Sequence, residues 1–251
     1  MEVVVVVLKV VVVYKWARDP EDAAVHSDGS VDWRGARMAA GEDDHAAVAV
    51  ALALAADSGV DVVGATIGVG DATWAMARGI EQVVAVPDAP ALADNAATAD
   101  LLAAVIRWVG EVDVVVIGDA EAYPGVPAAL AGVLGWPALL GVSSATLTGG
   151  RVLATRRVGD REQTVSLGLP ALLGVTAASA EKQAPGMKQV LAARKRQIGA
   201  VSLADLGIQP HDRWQTRRTR VPEVGSAHLL EGSPATAARR LVAALREDGL
   251  L

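Results

Sequence analysis

Apolar, β-branched runs recur along the chain with almost no polar alternation. They are residues 3–13, "VDVVGATIG" at 60–68, "EQVVAVP" at 81–87, "VDVVVIGD" at 112–119 and "PALLGVTA" at 170–177. Such runs suit strands covered on both faces, as in a parallel sheet. Helical stretches lie between them. "DDHAAVAVALALAADSG" (43–59) opens on acids that suit the positive end of a helix and closes on Gly59. "DATWAMARGI" (71–80) and "NAATADLLAAVIRWVG" (95–110) repeat the form. Strands alternating with helices across short loops predict βαβ units, hence an α/β fold built on a doubly wound, mostly parallel sheet with right-handed crossovers.

Beyond about residue 145 the pattern changes. "ATLTGGRVLATRRVGDREQTVSLGLPALLGV" sets a Gly-Gly turn between polar–apolar strands and predicts a β-hairpin that feeds the last core strand. From about 180 the apolar period is lost among Pro, Gln and Arg. It returns in "SPATAARRLVAALRED" (233–248), an amphipathic helix with Ser233 placed to cap it and Pro234 in its first turn. The expected organisation is one α/β domain over 1–180 and an extended C-terminal arm over 181–251.

Composition narrows the partners. With 52% hydrophobic residues, the chain can bury one large core, and a net charge of −6 leaves no basic footprint for nucleic acid. The run "AARKRQ" (192–197) reads as a solvated face. With no cysteine, disulfides and thiolate metal sites are excluded, and His26, His45, His211 and His228 lack zinc spacing. The opening "MEVVVVVLKVVVVYK" offers about eleven apolar residues broken by Lys9, against the ~20 of a membrane span. It reads as a buried strand, so the expected location is the cytoplasm and the protein is not membrane-embedded. There is no G-x-S-x-G elbow, and Ser143-Ser144 has no nearby base. His45 reads as a solvated helix-start residue, Asp43 and Asp44 as helix caps before ligand contacts, and the six tryptophans as core or interface filler without basic stacking partners.

In an open parallel sheet, ligands sit beyond the carboxyl ends of the strands. Three loops fall there: Lys15 to Pro20, Gly68 to Asp71, and Gly118 to Gly125. Glycines let backbone N–H groups approach a phosphate, and the following helix adds its positive end. "GVGDAT" is an incomplete dinucleotide fingerprint, lacking its third glycine and following the second strand. Any one such loop is an ordinary turn, but three in register favour a nucleotide, with Gly118, Asp119 and Gly125 as candidate contacts.

Taken together, several stretches resemble the β subunit of electron transfer flavoproteins. They are Val10 to Lys15 with Asp19-Pro20, "VHSDGSVDW" (25–33), the helix start Gly41 to Ala47, "TIG" (66–68), "AMARG" (75–79), "LGWP" (134–137), "RRVGDREQTVSLGLPALLGV" (156–175) and "PGMKQVLAARKRQI" (185–198). The likeness spans roughly residues 10 to 207. It implies an adenine-nucleotide-α-hydrolase-like, Rossmann-like fold and an electron carrier with no catalytic constellation of its own. By this resemblance, an AMP would lie near Val13, Glu42, Asp44, Ile67, Gly118 and Val126. One FAD would be shared with an α subunit. Met187 would anchor a docking loop, with Arg194, Lys195 and Arg196 at the partner surface. The partners implied are acyl-CoA or other flavin dehydrogenases and a membrane quinone oxidoreductase. The sequence departs from the family pattern at Gly41 and Asp43 and in a shortened "EAYPGVPA" loop. A stand-alone adenine-nucleotide binding or sensing domain remains the alternative.

Overall fold

The computed structural model describes residues 8–58, 60, 62–68, 70–119, 125–177, 184–222 and 229–251. Residues 3–7 of the first apolar run, 69 of the second loop and 120–124 of the third lie outside the described residues, as does the expected 180/181 boundary. Among the described residues the strands are β1 (Val10–Val13), β2 (Trp16–Arg18), β3 (Ala24–Val25), β4 (Val31–Asp32), β5 (Met38–Ala40), β6 (Val62–Ile67), β7 (Gln82–Val86), β8 (Val114–Gly118), β9 (Ala138–Thr148), β10 (Arg151–Val158), β11 (Arg161–Gly168), β12 (Ala171–Val175) and β13 (Gly199–Ala200). The helices are α1 (Glu42–Ser58), α2 (Ala72–Met76), α3 (Asn95–Val109), α4 (Val126–Leu134), α5 (Met187–Ala193), α6 (Leu203–Leu206) and α7 (Pro234–Glu247).

Nine strands form one sheet in the order β11-β10-β9-β12-β8-β1-β6-β7-β13. From β9 to β13 every neighbouring pair runs parallel, and the pairs β9–β10 and β10–β11 are antiparallel. The continuous apolar runs follow from this, because both faces are covered. On β1, Val10 and Val12 face one cluster and Val11 and Val13 the other, the period-two alternation of a strand. Helices α1, α2 and α5 pack on the first face, and α3, α4 and α6 on the second. βαβ crossovers going both ways from β1 produce this three-layer arrangement.

The expected hairpin is larger than the Gly-Gly turn alone indicates. Gly149 and Gly150 both take left-handed φ values, 58° and 71°, as a two-residue hairpin turn requires. A second turn at Gly159-Asp160 then returns β11 against β10, making a three-stranded meander.

The chain divides into two compact units, Met1–Ala24 with Val31–Arg217, and Val25–Ser30 with Arg218–Leu251. In the first, the segment after residue 183 is tied to the body: β13 extends the sheet beside β7, and Val201 is buried. Asp88 accepts from the Leu203 amide, Asp212 from the amides of Ala93 and Asp94, and Asp94 from that of Arg213. In the second, α7 begins under Ser233, whose hydroxyl accepts from the Thr236 amide, and none of its residues is buried. No described helix is long and apolar enough to cross a membrane.

Candidate functional site

The chain order reverses between β1 and β8, and the carboxyl tips of β8, β1 and β6 stand side by side there. Val13 lies level with Ile117 on one side and Ala65 on the other. Ile67 ends β6 and Gly118 ends β8. Val13, Ile67, Gly118 and Asp119 therefore share one crest, and the starts of α1 and α4 border it.

The α1 start is rich in carboxylates. Asp44 is buried, and its Oδ2 accepts from the amides of Gly41 at 2.9 Å and Lys15 at 3.1 Å. These bonds satisfy an amide at the helix start and one on the chain leaving β1, as a capping side chain does. Burial pushes the Asp44 carboxyl up to about 7, against the opposing pull of those two amides. Asp43 accepts from the Ala177 amide just past β12, and burial, then the charges of Asp119 and Glu42, raise its pKa. Asp119 Oδ2 accepts from Gly141 at 3.1 Å, and its own amide donates to Val175 at 2.8 Å. The reading as a helix cap thus matches Asp44, whereas Asp43 reaches across to the exit of β12 instead.

Gly118 has a packing reason to be glycine. A Cβ there would lie 3.0 Å from Asp44 Oδ1 and 3.2 Å from the Asp43 carbonyl carbon. The α1 first turn presses on the tip of β8. At Gly174 a Cβ would fall 2.6 Å from Leu140 Cδ2, while the Asp119 side chain would lie at an ordinary 3.4 Å.

The α4 start is bare. Gly125 takes φ 100° and no side chain caps it, while Pro127 and buried Val126 open the first turn. A Cβ on Gly125 would meet Asn95 Nδ2 at 3.3 Å, so the α3 start also borders this corner. At the β6 tip the buried Thr66 hydroxyl has no hydrogen-bond partner among the described residues.

These groups fit an adenylate in one orientation. The first-turn amides of α4, which no described side chain caps, suit a phosphate, and carboxylates at α1 suit donors such as ribose hydroxyls. A phosphate at the α1 end would face like charge. Sequence reasoning passed over Asn95, Thr66 and Gly174. Asn95 carried a signal, as the first residue after the Asp94 cap.

An aromatic cluster lies on the α1 face. Tyr14 is 5.2 Å from Trp74 between ring centroids, and His45 meets Trp74 edge-on at 5.1 Å. His45 is therefore packed against a ring rather than simply solvated. Trp74 is buried and Trp16 and Trp136 pack against the two core clusters, so the expectation of core filler holds for three, while Trp33, Trp108 and Trp214 are exposed. The expectation that none stacks with a basic residue is corrected at Trp74, where the Arg78 guanidinium lies 4.5 Å from the ring centroid.

Met187, at the start of α5, is 75% exposed, and Leu191 one turn on is 51% exposed. Val190 and Ala193 turn the other side of the helix to the core. Arg194, Lys195 and Arg196 follow as an exposed basic run, and Arg196 donates to the Ile80 carbonyl at 3.4 Å. These residues belong to a different face from the strand tips.

A family model described as "Electron transfer flavoprotein domain" matches residues 33–206, more than half of the chain.

Proposed function

The chain belongs to the electron transfer flavoprotein domain family, and from that membership we propose that it is the β-type subunit of a heterodimeric electron carrier. In this reading the α/β body over 1–180 holds an AMP, and the arm over 181–251 docks other polypeptides. The phosphate lies against the α4 start at Gly125 and Val126. The ribose hydroxyls donate to Glu42 and Asp119, and Val13 and Ile67 provide an apolar floor. An FAD shared with an α-type subunit supplies the redox chemistry when bound. This chain's own residues orient the subunits and present the docking surface. Met187 and Leu191 meet flavin dehydrogenases, acyl-CoA dehydrogenases among them, while Arg194, Lys195 and Arg196 steer acidic faces toward them. A membrane quinone oxidoreductase then accepts the electrons, and the carrier itself works in the cytoplasm.

The observation that carries this reading is the pairing of a bare helix start with three adjacent strand tips at the switch point of the sheet. That no α7 residue is buried favours a subunit over a stand-alone nucleotide sensor, because an amphipathic helix needs a surface to cover its apolar side. The test is mass spectrometry of small molecules released from the purified chain, alone and co-expressed with an α-type subunit. Stoichiometric AMP is expected from both, and a yellow heterodimer only from co-expression. A colourless chain that retains no AMP and pairs with no α-type subunit overturns the proposal.

A further inference from the structure

A cleft of about 320 Å³ lies between α2 and α5, just beyond the loop that leaves β6. That volume falls at the lower end of small-ligand sites, which run from roughly 300 Å³ upward. Its walls are apolar at Trp74, Ala77 and Val190, and cationic at Arg78 and Arg194. Asp71 is the one carboxylate among the lining residues, and its Oδ1 already accepts from the Thr73 amide at 2.9 Å as the cap of α2.

Arg78 is the unusual member. It is half-buried and makes no ion pair within 4 Å among the described residues. Its NH1 group donates to the Trp74 carbonyl at 2.9 Å, but its buried Nε has no hydrogen-bond partner. Holding a half-buried cation with no ion pair is unfavourable, and an oxyanion in the cleft beside it relieves that cost. The guanidinium is held over the Trp74 ring. That fixes its fork for a planar carboxylate, with Arg194 on the opposite wall as a second cation.

We infer that this cleft binds a small amphipathic oxyanion, a carboxylate with a short apolar tail, through Arg78 and Arg194, with the tail against Trp74, Ala77 and Val190. The cleft shares Arg194 with the proposed docking surface but none of the residues proposed to contact AMP, so hexanoate binding and AMP retention can fail separately.

Calorimetric titration of the full chain with hexanoate, hexan-1-ol and inorganic phosphate tests it. Hexanoate is expected to bind saturably, and the alcohol and phosphate each at least tenfold more weakly. Loss of a charge-assisted pair predicts about tenfold weaker binding in Arg78→Ala and a severalfold loss in Arg194→Ala. Arg194 is exposed, so its variant keeps the fold if Arg78→Ala does not, and Val190→Trp fills the cleft and should abolish binding. No saturable hexanoate binding, affinity unchanged in Arg194→Ala and Val190→Trp, or an alcohol or phosphate that binds as well as hexanoate would each overturn the inference.

Discussion

Helices α1 and α4 start at the same end of the sheet on opposite faces, and they start differently. In α1 the first turn is Glu42, Asp43 and Asp44, and its carboxylates tie the helix start to the exits of β1 and β12. In α4 a glycine in the left-handed region leads straight into Val126 and Pro127 with no capping side chain. Both helix ends present unpaired amides and positive potential. One is neutralised from within the chain and serves as framework. The other has no described side chain to neutralise it, and in the proposed function it receives the phosphate. Carboxylates near a proposed nucleotide site are thus not evidence against a phosphate, provided they belong to the other helix.

The sharpest way to break this comparison is to remove the charge of Asp44. Burial raises its pKa from 3.8 to about 7, so the folded state holds the proton more tightly than the unfolded one. The sign follows: stability is full below the unfolded value, falls as pH rises toward 7, and levels off above it. Asp44→Asn keeps an oxygen to accept from Gly41 and Lys15 and has no charge to desolvate. At about pH 8 the variant should be more stable than the parent by up to about 4 kcal/mol, and at about pH 4 nearly equal. Denaturant unfolding at both pH values checks this. A variant less stable than the parent at the higher pH would mean that the α1 start needs the charge.

A smaller effect is expected at the contact between α1 and β8. Gly118→Val places methyl groups where the first turn of α1 sits, and should cost about 1–3 kcal/mol. Thermal unfolding measures it. An unchanged midpoint would show that the α1 start can withdraw, and Gly118 would return to being a purely ligand-facing glycine.

Much of this architecture was legible in the chain. Valine runs with no polar alternation have one comfortable place, a strand between two layers, and β1, β6, β7, β8 and β12 all fall within them. The positions of Val13, Ile67 and Gly118 at adjacent tips follow once the strands alternate with helices. The rest was hidden for physical reasons. Strand β11 carries Arg161, Glu162 and Gln163 at an exposed sheet edge, so it lacks the apolar signature. The ties of the arm pair backbone amides with Asp88, Asp94 and Asp212 more than a hundred residues away, and sequence spacing cannot express that. The stacking of Arg78 on Trp74, four residues apart, was accessible, but only to a search for pairs rather than for basic runs.

The finest test gives α4 what α1 already has. Gly125→Asp places a carboxylate at the start of α4, where it can accept from the first-turn amides and meet the positive helix end, a gain of about 0.5–1 kcal/mol. A backbone φ of 100° strains any residue with a Cβ, costing roughly 1–2 kcal/mol, and Asp tolerates this region better than most. The two terms nearly cancel, so the unfolding midpoint should move little. AMP retention should nevertheless collapse, because the new carboxylate occupies the phosphate position and repels it. Gly125→Asn separates the causes: it caps without charge, carries the same strain, and should retain more AMP than the Asp variant. Equal AMP content in the parent and both variants would show that the phosphate is held elsewhere, and the contrast between the two helix starts would then concern folding alone.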